Sequence, residues 1–252
     1  MNILFTICAR AGSKGLKNKN LKMLKGRPLV HYTLSAIRAY KNAHPDVSID
    51  VALNTDSEEL ISQVSDQKLV ENVIVVERKT ELAGDTSAKV YVIQDTYRKC
   101  IQKGKKYDLV IDLDLTSPLR RLCDIENAVD QAVNGPSYDV VFSVVKSRRS
   151  PYFNMVELKK DGYYRKICDS DFTTRQQAPA TYELNASIYV YRNSFLEREI
   201  TKTLLEYNCG IVEMQDYLVL DIDSEEDFEM LEKLVEIYSK DQNYDQTMKT
   251  IM

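Results

Sequence analysis

The stretch Thr6-Ile-Cys-Ala-Arg10-Ala-Gly-Ser-Lys-Gly15-Leu-Lys-Asn-Lys-Asn20 decides how the rest of the chain is read. It begins inside an apolar run, Ile3 to Ala9, that reads as a buried first strand, and empties directly into a loop with two glycines, one arginine and three lysines. Such a loop is an anion cradle. Gly12 and Gly15 can take positive φ and let backbone N–H groups close on an oxyanion, while Arg10 and Lys14, with Ser13 beside them, supply fixed and mobile positive charge. A polyphosphate fits best; the plain alternative is a solvated basic turn after an edge strand. Residue order excludes two familiar phosphate loops, because Ser13-Lys14-Gly15 reverses the Gly-Lys-Ser/Thr ending of the P-loop and the dinucleotide fingerprint needs a third glycine.

Working outward, 252 residues with 44% hydrophobic and 29% charged side chains can bury a full core, at the upper end of what one domain holds. One large domain with an insertion is the expected layout. A net charge of −4 argues against a general nucleic-acid or anionic-membrane binder. The distribution is more telling: Arg10, Lys14, Lys17, Lys19, Lys22, Lys25, Arg27, Arg38 and Lys41 all precede the first carboxylate at Asp46, which concentrates positive charge around the cradle. Cys8, Cys100, Cys123, Cys168 and Cys209 are odd in number and nowhere spaced as CxxC, so neither a disulfide framework nor a zinc site is indicated. With no leader pattern and no apolar span of about twenty residues, a cytoplasmic protein is expected.

Pro28 opens a helix with Val30, Leu34 and Ile37 at helical spacing, followed by a strand over Ile49–Asn54. Asp56 and Glu59 resemble a capping box on a helix through Val64; a strand over Val73–Val76 and a helix carrying Val90, Ile93, Tyr97 and Ile101 come next. Strands over Tyr107–Asp112 and Val140–Val145 flank a helix from Asp124 to Val133. This alternation predicts a mostly parallel sheet with helices on both faces, and ligands at the carboxyl ends of its strands. The alternation stops from Lys146 to Asn185, where Arg148, Arg149, Tyr152, Phe153, a Lys159-Lys-Asp-Gly162 turn and Tyr182 read as a β-rich insertion covering a site or pairing subunits. Strands are expected again over Ala186–Tyr191 and Leu218–Asp221, and Ser224-Glu-Glu-Asp227 caps a helix with Phe228, Leu231, Leu234, Val235 and Tyr238 on its apolar side.

Ile7 through Gly15 with Lys19-Asn20, the loop Arg78 to Thr86, Thr116-Ser-Pro-Leu-Arg120, Arg175-Gln-Gln-Ala-Pro179 leading to Asn185, and Asp221-Ile-Asp223 together resemble the CMP-sialic acid synthetases, or acylneuraminate cytidylyltransferases. The matches stand in the family's order from Asn2 to about Tyr238. The resemblance implies a Rossmann-like nucleotidyltransferase domain over residues 1–240, interrupted by a dimerisation and substrate-covering arm at 146–185 and followed by a tail at 241–252. It implies transfer of CMP from CTP to the anomeric hydroxyl of a nine-carbon 2-keto acid sugar, with release of pyrophosphate, Mg²⁺ as cofactor and a homodimer as the working form. Arg10, Gly12, Ser13, Lys14, Asn20 and Arg78 correspond to nucleotide ligands, and Arg175, Asn185 and Tyr189 to sugar-pocket positions. Asp221 and Asp223 correspond to the metal carboxylates. No protein nucleophile is needed, so the catalytic work expected of Arg10 and Lys14 is charge neutralisation, and that of Asp223 includes easing loss of the hydroxyl proton.

The chain departs from the pattern where the family usually reads Gln-Pro-Thr-Ser-Pro-Leu-Arg, since it has Asp114-Leu115 before Thr116, and where a glycine usually follows Asn185, since it has Ala186. The Asp form resembles the branch that uses legionaminic acid and similar di-N-acylated sugars, with Asp114 expected to accept hydrogen bonds from the sugar. Several readings stay open. Asp112-Leu-Asp114 is either a second metal pair or a strand-end turn; Tyr182 and Tyr189 belong to the core or to the sugar site; Asp85 and Thr86 start a helix or touch nucleotide. Arg120 and Arg121 are surface cations at a helix start or partners of a sugar carboxylate. The other functions this pattern allows are a synthetase for the eight-carbon acid Kdo, a metal-dependent glycosyltransferase using nucleotide sugars, and a non-enzymatic nucleotide- or RNA-binding module.

Overall fold

A computed structural model describes residues 1–12, 16, 18–67, 69–84 and 87–239, for 218, 219, 238 and 239 the backbone only. Ser13, Lys14, Gly15, Asp85, Thr86 and the tail from 240 onward therefore lie outside the described residues. In chain order the elements are β1 (Asn2–Cys8), β2 (Met23–Leu24), β3 (Arg27–Pro28), α1 (Leu29–Ala43), β4 (Ser48–Thr55), α2 (Glu58–Ser65), β5 (Ile74–Glu77), α3 (Lys89–Ile101), β6 (Leu109–Leu113), α4 (Leu122–Asn134), β7 (Val140–Lys146), β8 (Val156–Leu158), β9 (Tyr164–Lys166), β10 (Tyr182–Arg192), α5 (Asn193–Glu197), β11 (Cys209–Glu213) and α6 (Glu225–Ser239).

A seven-stranded sheet runs in the order β11-β7-β10-β6-β1-β4-β5, and β10 alone among its described strands is antiparallel to the others. The period-2 geometry of β1 sends Ile3, Phe5 and Ile7 to one face, where they pack with α1, α4 and α6, and Leu4 to the other, against Ile93 and Tyr97 of α3. Helices on both faces bury both sides of the sheet, which is why the central strands read as unbroken apolar runs. Among the described residues no helix is long and apolar enough to cross a membrane.

Two local expectations are corrected and a third is met. Leu218–Asp221 does not form a strand: Asp216–Val219 is a 3₁₀ turn, and the strand that closes the sheet is β11. Its signal is hidden by Gly210, where a Cβ would stand 2.6 Å from the Tyr138 ring, so the ring and not a β-branched side chain fills that place. The cap of α2 is Ser57, whose Oγ accepts from Leu60 N–H at 3.2 Å, while Asp56 turns away to accept Ala11 N–H at 2.6 Å. At α6 the expected reciprocal cap forms, with Ser224 N–H donating to Asp227 at 2.8 Å and Asp227 N–H to Ser224 Oγ at 3.1 Å.

The inserted segment contains the hairpin β8–β9, turned through Gly162 at φ 84°. β10 then carries the chain from the arm into the sheet, with a register shift between Leu184 and Tyr189 where Ala186 takes φ 54°.

Candidate active site

A cleft of about 280 Å³ opens at the carboxyl ends of β1 and β6, and its walls include Arg10, Asn20, Arg78, Lys89, Asp114 and Asp221. On the β4 side, Arg10 leaves the end of β1, donates from Nη1 to Ala83 O at 2.9 Å, and accepts at its own carbonyl from Asn20 Nδ2 at 3.0 Å. Gly12 takes φ 71°, the left-handed backbone that its place in the cradle predicts. Arg78 donates from Nε to Asn54 Oδ1 at 2.8 Å and from Nη2 to Asn54 O at 3.2 Å, which ties it to the end of β4. Arg10 and Arg78 are thus both anchored to neighbouring loop and strand atoms.

The basic amino-terminal segment divides. Lys19 lines the cleft, and its Nζ stands 2.9 Å from Asp223 Oδ1 and 3.1 Å from Ile222 O. Lys22 and Lys25 leave the cleft for the acidic helix α6, pairing with Glu225 at 2.5 Å and Glu236 at 2.6 Å. The concentration of cations before Asp46 therefore serves two purposes: part of it faces the cleft, and part docks the last helix.

On the β6 side the cleft is built around Lys89, a residue that sequence reasoning passed over. Its ammonium lies 2.7 Å from Asp112 Oδ2 and 2.5 Å from Asp114 Oδ2. Asp112 is fully buried and accepts the Thr6 hydroxyl at 2.7 Å; Asp114 accepts Thr116 N–H at 3.0 Å and Thr116 O–H at 2.8 Å. Burial alone would raise the Asp114 pKa, but the Lys89 ammonium and the Thr116 donors overcome it and hold the carboxyl well below the usual range. Burial likewise opposes charge on Lys89, and its two carboxylates push its pKa well above the ordinary lysine value. The one available signal was a lysine in the first turn of a helix, where the macrodipole disfavours it and a compensating anion is required.

Asp221 has a contrasting environment. Its Oδ1 is buried without a hydrogen-bond partner, and burial together with the nearby Asp114 charge raises its pKa. A carboxylate so placed on the wall of a cleft suits a cation. Asp223 does not share that face: the segment is not a strand, its carboxylate is 76% exposed, and it is paired with Lys19. Among the described residues no three His, Cys, Asp or Glu side chains form a ready metal cage.

The remaining sugar-pocket positions fall apart in space. Asn185 is buried, accepting the Ser143 hydroxyl at 2.6 Å and donating to Met214 Sδ at 3.2 Å, so its side chain pins β10 to β7 and to the residue that follows β11. Arg175 lines a separate hollow of about 340 Å³ with Lys146 and Arg149, and donates to Ser147 O at 3.3 Å. Tyr189 is half-buried; its ring centroid lies 5.9 Å from Lys89 Nζ and the ring stacks on Tyr191, so it stands between core and cleft. Arg120 is neither a surface cation nor poised for a ligand. It is buried, donating from Nε to Ser187 Oγ at 3.1 Å and from Nη2 to Ser117 O at 2.6 Å and to Asp114 O, and its burial pulls the pKa down to about 10. It fastens the β6 outlet loop to β10. Arg121 caps α4 in a reciprocal pair with Asp124, 2.6 Å away.

A mostly parallel sheet with an anchored cationic cleft at its strand ends is the architecture of the Rossmann-like nucleotidyltransferases. Two solved structures share the fold: CMP:2-keto-3-deoxy-manno-octonic acid synthetase complexed with CTP, at TM-score 0.66 and 15% identity over 94% of this chain and 99% of that one, and 4-diphosphocytidyl-2C-methyl-D-erythritol synthase from Anaerococcus prevotii, at 0.60 and 16% over 93% and 99%. A family model described as Cytidylyltransferase matches residues 4–251, and the chain belongs to that family. It is 35% identical to the post-translational flagellin modification protein B of Campylobacter coli over 92% of this chain and 94% of that one. It is 34% identical to the CMP-N,N'-diacetyllegionaminic acid synthase of Campylobacter jejuni over 93% and 95%, and 30% identical to the enzyme of that name from Legionella pneumophila over 94% and 97%.

Proposed function

We propose that this enzyme transfers CMP from CTP to the anomeric hydroxyl of a nine-carbon 2-keto acid sugar of the sialic and legionaminic acid group, releasing pyrophosphate. The observation that carries the reading is one cleft at the strand ends in which anchored arginines, Arg10 and Arg78, face a carboxylate with an unpartnered oxygen, Asp221. The names of the similar proteins support the substrate class, with the legionaminic branch favoured by two relatives at 30% identity or more. Arg10 spreads a planar fork over phosphate oxygens, and Lys14 adds a mobile charge that follows the leaving pyrophosphate. The chain's contribution is alignment of the sugar oxygen with the α-phosphorus and neutralisation of charge, since no covalent intermediate is required.

Mg²⁺ belongs to this reading as the cofactor. Asp221, with its orphaned Oδ1, fits a hard cation, and Asp223 would be its second carboxylate on release from Lys19. The ion supplies neutralisation of the triphosphate. A homodimer formed through the arm is supported by Val156, Leu158, Tyr163 and Tyr164, which expose 59–69% of their surface on one hairpin. Pyrophosphate release, measured for each nucleoside triphosphate with a panel of 2-keto acid sugars, tests the reaction. CTP with a nonulosonic acid is expected to be the productive pair, and Arg10→Ala to lower kcat/KM by about 3 kcal/mol, near the loss of one transition-state donor. Turnover without a nonulosonic acid, or full activity in Arg10→Ala, would remove the reading.

A further inference from the structure

Lys89 and Asp114 present a donor and an acceptor side by side on the cleft wall, 2.5 Å apart. Their remaining capacity can be counted. Asp114 Oδ1 takes two donors from Thr116 and Oδ2 takes one from Lys89, so one lone pair of Oδ2 is left. Lys89 Nζ donates one N–H to Asp114 Oδ2 and is ion-paired with Asp112 Oδ2 at 2.7 Å, and among the described residues no further acceptor takes its remaining hydrogen-bonding capacity. The bracket is rigid because Asp112 is fully buried and held by Thr6.

A side-chain amide offers the same two functions, one acceptor oxygen and one donor nitrogen, at nearly this separation. We propose that Lys89 and Asp114 act as one composite amide that reads a hydroxyl of the acceptor sugar, the hydroxyl donating to Asp114 Oδ2 and accepting from Lys89 Nζ. This rests on the function proposed above and names the element that selects its sugar. The side of the cleft is decided by the sheet order: Arg10 and Arg78 are tied to the β4 side of β1, whereas Asp114 follows β6 on the other side. There its N–H donates to Ser187 O of β10, the strand that comes in from the arm, and Tyr189 of the same strand flanks Lys89. A hydroxyl suits the pair because one oxygen can donate to the carboxylate and accept from the ammonium at once, with nothing left unpaired.

The test is a double-mutant cycle read separately for each substrate. Lys89→Met and Asp114→Gln are each expected to lower kcat/KM for the sugar roughly 10- to 100-fold, the scale of a hydrogen bond to a charged group, with KM for CTP unchanged within about twofold. The combined variant, in which a single glutamine carries both donor and acceptor, is expected to recover to within about fivefold of wild type. Where Lys89→Met unfolds the protein by leaving Asp112 unpaired, the cycle is run in an Asp112→Asn background, which keeps the floor of the cleft neutral. Additive losses in the combined variant, or a rise in KM for CTP in place of the sugar, would overturn the inference while leaving the reaction class standing. No pyrophosphate release by wild type with any sugar would overturn both.

Discussion

The chain carries the pattern Asp-x-Asp twice at the cleft, and the two copies do opposite things. Asp112 and Asp114 stand at the end of a hydrogen-bonded strand, share one ammonium, and are neutralised by Lys89 before any ligand arrives. Asp221 and Asp223 follow a 3₁₀ turn; one keeps a buried oxygen without a partner, and the other faces outward to Lys19. Spacing alone cannot distinguish them. A carboxylate already paired by a fixed cation is a structural element with residual hydrogen-bonding capacity, whereas one held in a cleft with an unpartnered oxygen is poised to bind a cation.

The largest expected effect falls on the neutralised pair. Asp112→Ala removes a fully buried partner of Lys89 and should lower the unfolding free energy by about 3–5 kcal/mol, as for other broken buried pairs; urea denaturation measures it. A change below about 1 kcal/mol would mean that Lys89 is served by Asp114 alone. Asp221→Asn should behave in the reverse way, costing about 100-fold or more in kcat/KM while leaving the urea midpoint equal to or above wild type, because it removes a charge that burial and the nearby Asp114 disfavour. A drop in stability with normal turnover would erase the contrast between the two pairs.

The pH dependence of stability sharpens the same comparison. Asp114 is held below its unfolded pKa, so its contribution is fully present above about pH 4 and is lost as pH falls through that range and below. Asp114→Asn should therefore show a shallower loss of stability than wild type between about pH 5 and pH 3, followed by urea midpoints at each pH. An acid limb parallel to wild type would show that Lys89 does not recognise the charge on Asp114. The smallest effect is expected one strand away, at the residue before the carbonyl that anchors Asp114. Ala186 sits at φ 54°, and Ala186→Gly should raise stability by roughly 0.5–1 kcal/mol by relieving the left-handed conformation, offset in part by the added freedom of the unfolded chain. A loss of stability would mean that the methyl group packs more than the backbone strains.

Much of the fold was legible because buried parallel strands must be apolar on both faces, and β1, β6 and β7 read as continuous runs for that reason. The edge strand β11 was not legible, since one of its two inward positions is a glycine whose space is filled by Tyr138 from another element. At the site, Arg10, Asn20 and Arg78 were readable from a glycine-bearing basic loop after a strand and from resemblance, and they line one cleft with Asp114 and Asp221. Lys89 was not, because its meaning comes from two carboxylates more than twenty residues later in the chain. Arg120 was misread for the same reason: a charged side chain looks solvent-facing until the carbonyls that bury it are known.

By itself, then, the amino-acid order determined a parallel sheet, a cationic first loop and the family of the chain, all of which rest on local periodicity and on residues that are neighbours in sequence. Tertiary structure alone decided which cations face the cleft and which hold α6, and which Asp-x-Asp is neutralised and which is left open. The reason is electrostatic: a charge acquires its role from the partners and the burial that folding brings within a few ångströms of it, and those partners come from distant strands.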